Sequence, residues 1–172
     1  MLNFDRDPRE VAIDLLGCTL IRGKLRARIV ETEAYYGPED PASRAKHGRK
    51  KYNAPMFDGA GHIFIYNVHK YWMLNFTTKP VSAVLIRAAE PLNFEADLRG
   101  PGKLTMRMGI DRSFNALPVG KDAGIWIERG ERPEKIGVSH RIGVSADLEE
   151  PLRFFDMDSG HVSAHRKAVK VL

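Results

Sequence analysis

The sequence predicts an α+β fold: a single domain over residues 1–172, built on a curved, mainly antiparallel, open barrel-like β-sheet with a few flanking helices. Three observations predict it. Segments rich in β-branched and aromatic residues recur along the chain, joined by short turns rather than helices, which favours an antiparallel over a doubly wound sheet. Helix start and stop signals are few. With 172 residues, 43% hydrophobic and 28% charged, the chain supports one core, and no linker, low-complexity tract or internal repeat divides it.

The first element reads as a helix. Asp7 can cap it, Pro8 suits its first turn, Val11, Ala12, Leu15 and Leu16 form an apolar stripe, and Gly17 can end it. Residues 19–35 read as two strands turning near Arg22-Gly23-Lys24. The stretch 37–61, rich in Gly, Pro, Lys and Arg, reads as a long loop with a short helix, and a loop of that length in a compact domain is usually functional. Strands follow at 62–66, 72–78 and 81–88. Gly100-Pro101-Gly102-Lys103-Leu104 opens a helix that Gly109 terminates, and 125–128, 141–144 and 153–156 are further strand candidates.

The formal net charge is +5, and its distribution says more than its size. Arg44, Lys46, His47, Arg49, Lys50 and Lys51 crowd the long loop. That cluster is either a solvated loop or a surface for phosphates, where clustered cations release counterions from a polyanion. A lone cysteine, Cys18, sits in an apolar run and reads as a small core residue. The six histidines show no ligand spacing, so neither a metal nor another cofactor is expected. No run approaches the ~20 apolar residues of a membrane span, and a cytoplasmic monomer, nucleoid-associated in a prokaryotic cell, is the expectation.

Chemistry concentrates in Arg28-Ile29-Val30-Glu31-Thr32-Glu33-Ala34-Tyr35-Tyr36-Gly37-Pro38-Glu39-Asp40. Strand alternation puts Ile29, Glu31, Glu33 and Tyr35 on one face, and Val30, Thr32 and Ala34 on the other, toward the core. The glutamates then lie roughly 7 Å apart at Cα. Like charges that close raise at least one pKa, as a general base near neutral pH requires. Two ordinary surface acids would fit the same pattern, and alternation alone does not say which glutamate would act.

The run from Glu31 to Asp40 resembles the active-site strand of the alkyladenine (3-methyladenine) DNA glycosylase family. Met56-Phe57, Gly61-His62-Ile63-Phe64-Ile65-Tyr66, Asn75, Arg87-Ala88-Ala89-Glu90-Pro91, Gly100-Pro101-Gly102-Lys103-Leu104 and Arg153-Phe154-Phe155 follow in the family's order. The resemblance implies a monofunctional base-excision enzyme acting on duplex DNA that contains a damaged purine. Such an enzyme flips its target, because C1′ is shielded within the stack; glycosylases are among the standard examples of base flipping. It implies Glu33 as the residue that activates water and Arg87 as the arginine beside that water. Tyr35 and Tyr66 would stack on the extruded base, with Arg44 and Met56 in the same pocket, and Asn75 would reject the 2-amino group of guanine. Arg49, Lys50, Lys51, His69, Tyr71 and Lys103 would contact DNA.

Two departures stand out. Arg44 takes the place of a histidine usual in the family, and a guanidinium facing a cationic purine would repel it. The chain is one residue shorter where the family inserts a tyrosine into the duplex, which leaves His69 as the expected wedge, with Val68 and Tyr71 as alternatives. A non-catalytic nucleic-acid-binding module and a carboxylate-dependent nucleoside or sugar hydrolase are the competing readings.

Overall fold

The computed structural model describes residues 2–172. Asp7 accepts a hydrogen bond from the Arg9 amide, and helix α1 (Pro8–Leu15) buries Val11, Ala12 and Leu15 against the sheet. Strands β1 (Thr19–Arg22) and β2 (Leu25–Tyr35) form the expected hairpin. Helix α2 (Ala54–Phe57) interrupts the long loop. Strands β3 (Ile63–Val68), β4 (Tyr71–Thr78) and β5 (Ser82–Pro91) form a meander, followed by helix α3 (Pro101–Met108) and strand β6 (Ile125–Glu128). Strands β7 (Ile136–Ser139), β8 (Arg153–Asp156) and β9 (Lys170–Val171) complete the chain.

Among the described residues the nine strands make one antiparallel sheet, open at both ends, in the order β3-β4-β5-β2-β8-β7-β9. Strand β2 is its hub. Strand β5 runs along one edge, while β1 and then β8 share the other, and β6 adds to β1. The main core lies where α1 and α3 pack on the sheet, with Leu20, Ile29, Ala34, Leu74, Phe76, Val84, Ile86, Leu104 and Phe154 buried. Cys18 is buried and its thiol pKa is pushed up by that burial.

Strand β2 does not alternate simply along its length. Its register with β5 slips between Ile29 and Glu31, and slips back between Glu31 and Thr32. Val30 is the extra residue on β2, and Arg87 the extra residue on β5. The two bulges cancel, so Ile29 shares the main core with Ala34 and Ile86, while Val30 packs in a second cluster with Ala88, Phe155 and Val162. The expected face of Ile29, Glu31, Glu33 and Tyr35 is therefore corrected: Ile29 belongs to the opposite, core side. Bulges commonly re-aim a side chain in this way.

Residues 141–144 are likewise not a strand. The strand is Ile136–Ser139, five residues earlier, and 140–152 form a loop. The tetrapeptide Ile-Gly-Val-Ser occurs at 136–139 and again at 142–145. In the first copy Gly137 lies under the Phe155 ring of β8, where a Cβ would overlap it. In the second, Gly143 sits at φ +72, a left-handed conformation that leaves the ladder. Strand β9 carries no recognisable signal, being two exposed residues held by β7.

Candidate active site

Both glutamates of β2 are fully buried, yet they do different things. Glu31 Oε2 accepts a 2.6 Å hydrogen bond from Arg153 Nε, and Oε1 accepts from the Ser163 amide at 2.8 Å. Arg153, itself fully buried, also donates to Ser139 Oγ at 2.9 Å and to the His165 carbonyl at 2.8 Å. Glu31 is thus committed to a closed ion pair that ties β2, β7, β8 and the tail together.

Glu33 has a different set of partners. Its Oε1 accepts from the Tyr35 hydroxyl at 2.7 Å and from Arg87 Nη1 at 3.4 Å, and its Oε2 accepts from the Ile142 amide at 2.6 Å. Burial raises its pKa above the ordinary carboxylate range; Arg87, the Ile142 amide and the Tyr35 hydroxyl oppose that rise without cancelling it, and Glu31 adds to it. Arg87 Nε lies 3.6 Å from Glu31 Oε2 and has no hydrogen-bond partner. The bulge on β5 is what turns Arg87 to this face.

A cavity of about 490 Å³ opens over this carboxylate, and all three donors to Glu33 (Tyr35, Arg87 and Ile142) are in its wall. Glu33 lies one layer below. Tyr66, Arg44, Leu85 and Met73 extend the wall. Burial pushes the Tyr35 hydroxyl well up in pKa, assisted by Glu33, and burial raises Tyr66 too, so both phenols stay protonated. Each ring is capped by a guanidinium: Arg141 at 4.5 Å from the Tyr35 centroid and Arg44 at 4.4 Å from that of Tyr66.

Of the expected pocket residues, Tyr35, Arg44, Tyr66 and Arg87 meet in the cavity. Met56 and Asn75 sit deeper, around a void of about 10 Å³ behind Tyr35 and Tyr66. Met56 packs with Ala45, Phe64 and Ala83. The Asn75 amide donates to the carbonyls of Phe64 and Met73, both at 3.2 Å.

Arg141 and the Ile142 amide escaped the sequence reading. Arg141 donates to both oxygens of Asp40, at 2.7 and 2.8 Å, and to the Ala34 carbonyl at 3.0 Å, and pairs with Asp147. Burial alone would raise the pKa of Asp40, but hydrogen bonds from Arg141 and the Ala42 and Tyr36 amides hold it below its usual value. This clamp seats the 140–152 loop, and so the Ile142 amide, against the end of β2. The only signal was Arg141 itself, a basic residue within an apolar run; its partner lies a hundred residues away.

The candidate DNA contacts divide. Lys50 lines the cavity, and Lys51 lines an adjoining groove with Tyr52, Trp72 and Arg112. His69, at φ +54, is exposed at the tip of the β3–β4 hairpin, next to Val68 in the cavity wall. Tyr71 packs on Gly102, where a Cβ would come within 2.7 Å of its ring. Arg49 is paired with Asp58, and Lys103 with Asp97. Among the described residues, no three His, Cys, Asp or Glu side chains cluster as a metal site would.

The chain is similar to proteins carrying the name "Putative 3-methyladenine DNA glycosylase". One from Methanocella arvoryzae is 40% identical, covering 93% of this chain and 92% of its own length. Another from Aeropyrum pernix is 35% identical, covering 95% and 91%. A third, from Rhizobium etli, is 38% identical, covering 93% and 86%. The family described as Methylpurine-DNA glycosylase (MPG) matches residues 2–160. A buried carboxylate beneath an aromatic cavity thus comes with a match over nearly the whole chain, and the protein belongs to the methylpurine-DNA glycosylase family.

Proposed function

We propose that this protein hydrolyses the N-glycosidic bond of a damaged purine flipped out of duplex DNA, with Glu33 as general base and Tyr35 and Tyr66 as walls of the base pocket. The observation that carries it is the setting of Glu33: one buried carboxylate with raised pKa, whose three hydrogen-bond donors all face a single 490 Å³ cavity. The hydrogen-bond donors to Glu31, Arg153 and the Ser163 amide, lie outside that cavity's wall, which favours Glu33 for the role.

The chemistry follows from these positions. A water beside Arg87 gives its proton to Glu33 as its oxygen forms a bond to C1′. The C1′–N bond breaks and the base leaves with the electron pair, neutral if the purine was cationic and otherwise as an anion that takes a proton from solvent, so the products are free base and an abasic site. Arg87 holds the water and stabilises the ionised Glu33. Stacking of the extruded base on the tyrosines contributes ~1–3 kcal/mol per base, which offsets part of the few kcal/mol that extrusion costs. No amine attacks C1′, so the strand remains uncut.

Glu33→Gln tests this. Removing a general base costs roughly a hundredfold to ten-thousandfold in rate. The variant should bind duplex carrying a damaged purine as tightly as the parent and release base slower by that factor. Undiminished base release would refute the assignment.

A further inference from the structure

The charges around the cavity are one-sided. Arg44, Lys46, Lys50 and Arg87 line it, and no aspartate or glutamate does. Arg141 beside it is neutralised by Asp40 and Asp147. Arg44 differs: its side chain is exposed and its guanidinium lies over Tyr66 with no carboxylate in ion-pair range. Its carbonyl is fixed by a 2.8 Å hydrogen bond from Asn53 Nδ2, so the backbone holds this side chain at the wall of the space a base would enter.

We infer that Arg44 is a specificity-determining residue that steers this site toward uncharged 6-oxopurines, the deamination product hypoxanthine above all, and away from cationic N-alkylpurines. The inference rests on the reading of the cavity as a base pocket. A guanidinium fork matches the O6 and N7 acceptors of a 6-oxopurine in a bidentate pair. An adenine-type edge offers an amino donor at position 6, which opposes the fork. A 7-alkylpurine loses the N7 acceptor and gains a positive charge. Tyr66 gives a cationic base little attraction, because a cation already rests on its ring. Guanine shares the O6/N7 edge, so its rejection must come from its 2-amino group.

The test is single-turnover base release from matched duplexes containing hypoxanthine or 7-methylguanine, each rate divided by spontaneous loss. Three proteins are compared: the parent, Arg44→Leu and Arg44→Lys. Hydrogen bonds from a charged group carry enough energy that Arg44→Leu should lower the hypoxanthine to 7-methylguanine ratio by about tenfold or more. Arg44→Lys keeps the charge without the fork, so it should still disfavour 7-methylguanine but lose most of the hypoxanthine advantage. Release of both bases with a ratio unchanged in Arg44→Leu overturns the inference and leaves the base-excision reading standing. Failure of the parent to release hypoxanthine overturns the inference, and failure to release 3-methyladenine from a matched duplex as well overturns the base-excision reading too.

Discussion

Burial withholds water from the Glu33 carboxylate and favours its protonated form, while three donors favour the ionised one. The outcome is a pKa above the ~4.3 of a free glutamate, so activity should fall as pH drops through that raised value. Tyr35→Phe removes one of the opposing donors but keeps a stacking ring. It should move the acid limb of the pH–rate profile to higher pH with a plateau close to that of the parent; an unmoved limb would mean that the 2.7 Å contact does not act on the base. The same balance bears on stability. Ionising a carboxyl whose folded pKa is raised costs folding energy, and that cost is absent below the unfolded pKa and grows as pH rises toward the folded one. At this scale the candidate site was largely legible: Glu33, Tyr35, Tyr66 and Arg87, named through the family resemblance of an ordered set of short motifs, lie together in the structure. Strand alternation alone did not separate the two glutamates, because the arginine that engages Glu31, Arg153, is more than a hundred positions away in sequence.

At the scale of elements, strands with their own patterns were readable and those defined by neighbours were not. Helix α1 and the β1–β2 hairpin carry cap, stripe and turn residues locally. The two copies of Ile-Gly-Val-Ser carry identical local information and adopt different structures. The pairing of the first copy with β8 and β9, with the Phe155 ring over Gly137, and the clamp of Arg141 beside Gly143 distinguish them. Substitution separates the two settings. Gly137→Ala places a methyl against a buried ring in the centre of the β7–β8 pair, and overpacking of that kind costs about 1–3 kcal/mol. Gly143→Ala meets open space but must keep φ +72, a penalty of about 1–2 kcal/mol, and it shifts the Ile142 amide that Glu33 uses. Denaturant midpoints and base-release rates should therefore diverge. Gly137→Ala should lose stability with little loss of rate per folded molecule, and Gly143→Ala should lose rate as well. Equal stability of Gly137→Ala and the parent would show that β7 and β8 can separate freely. The paired bulges belong to the same class of feature, since they exist only where two strands meet and neither Val30 nor Arg87 announces them.

For the whole molecule, the net charge of +5 is less informative than its placement. Lys46 and Lys50 line the cavity and Lys51 the adjoining groove, whereas Arg49 and Lys103 are engaged with acids. Each phosphate neutralised contributes about 0.9 to the slope of log K against log salt on duplex DNA. Replacing Lys50 and Lys51 with glutamine should flatten that slope by more than replacing Arg49 and Lys103, as measured by anisotropy titrations across a salt series. Equal flattening would mean that the ion pairs open on binding.

The Glu31–Arg153 pair has a consequence for the chain's last stretch. The family match stops at Gly160, yet the Ser163 amide and the His165 carbonyl finish the coordination of two buried charges, Glu31 and Arg153, on β2 and β8. The tail is a keystone set from behind: it holds one acid and its arginine in place, while the acid two positions along draws all three of its donors from the cavity wall.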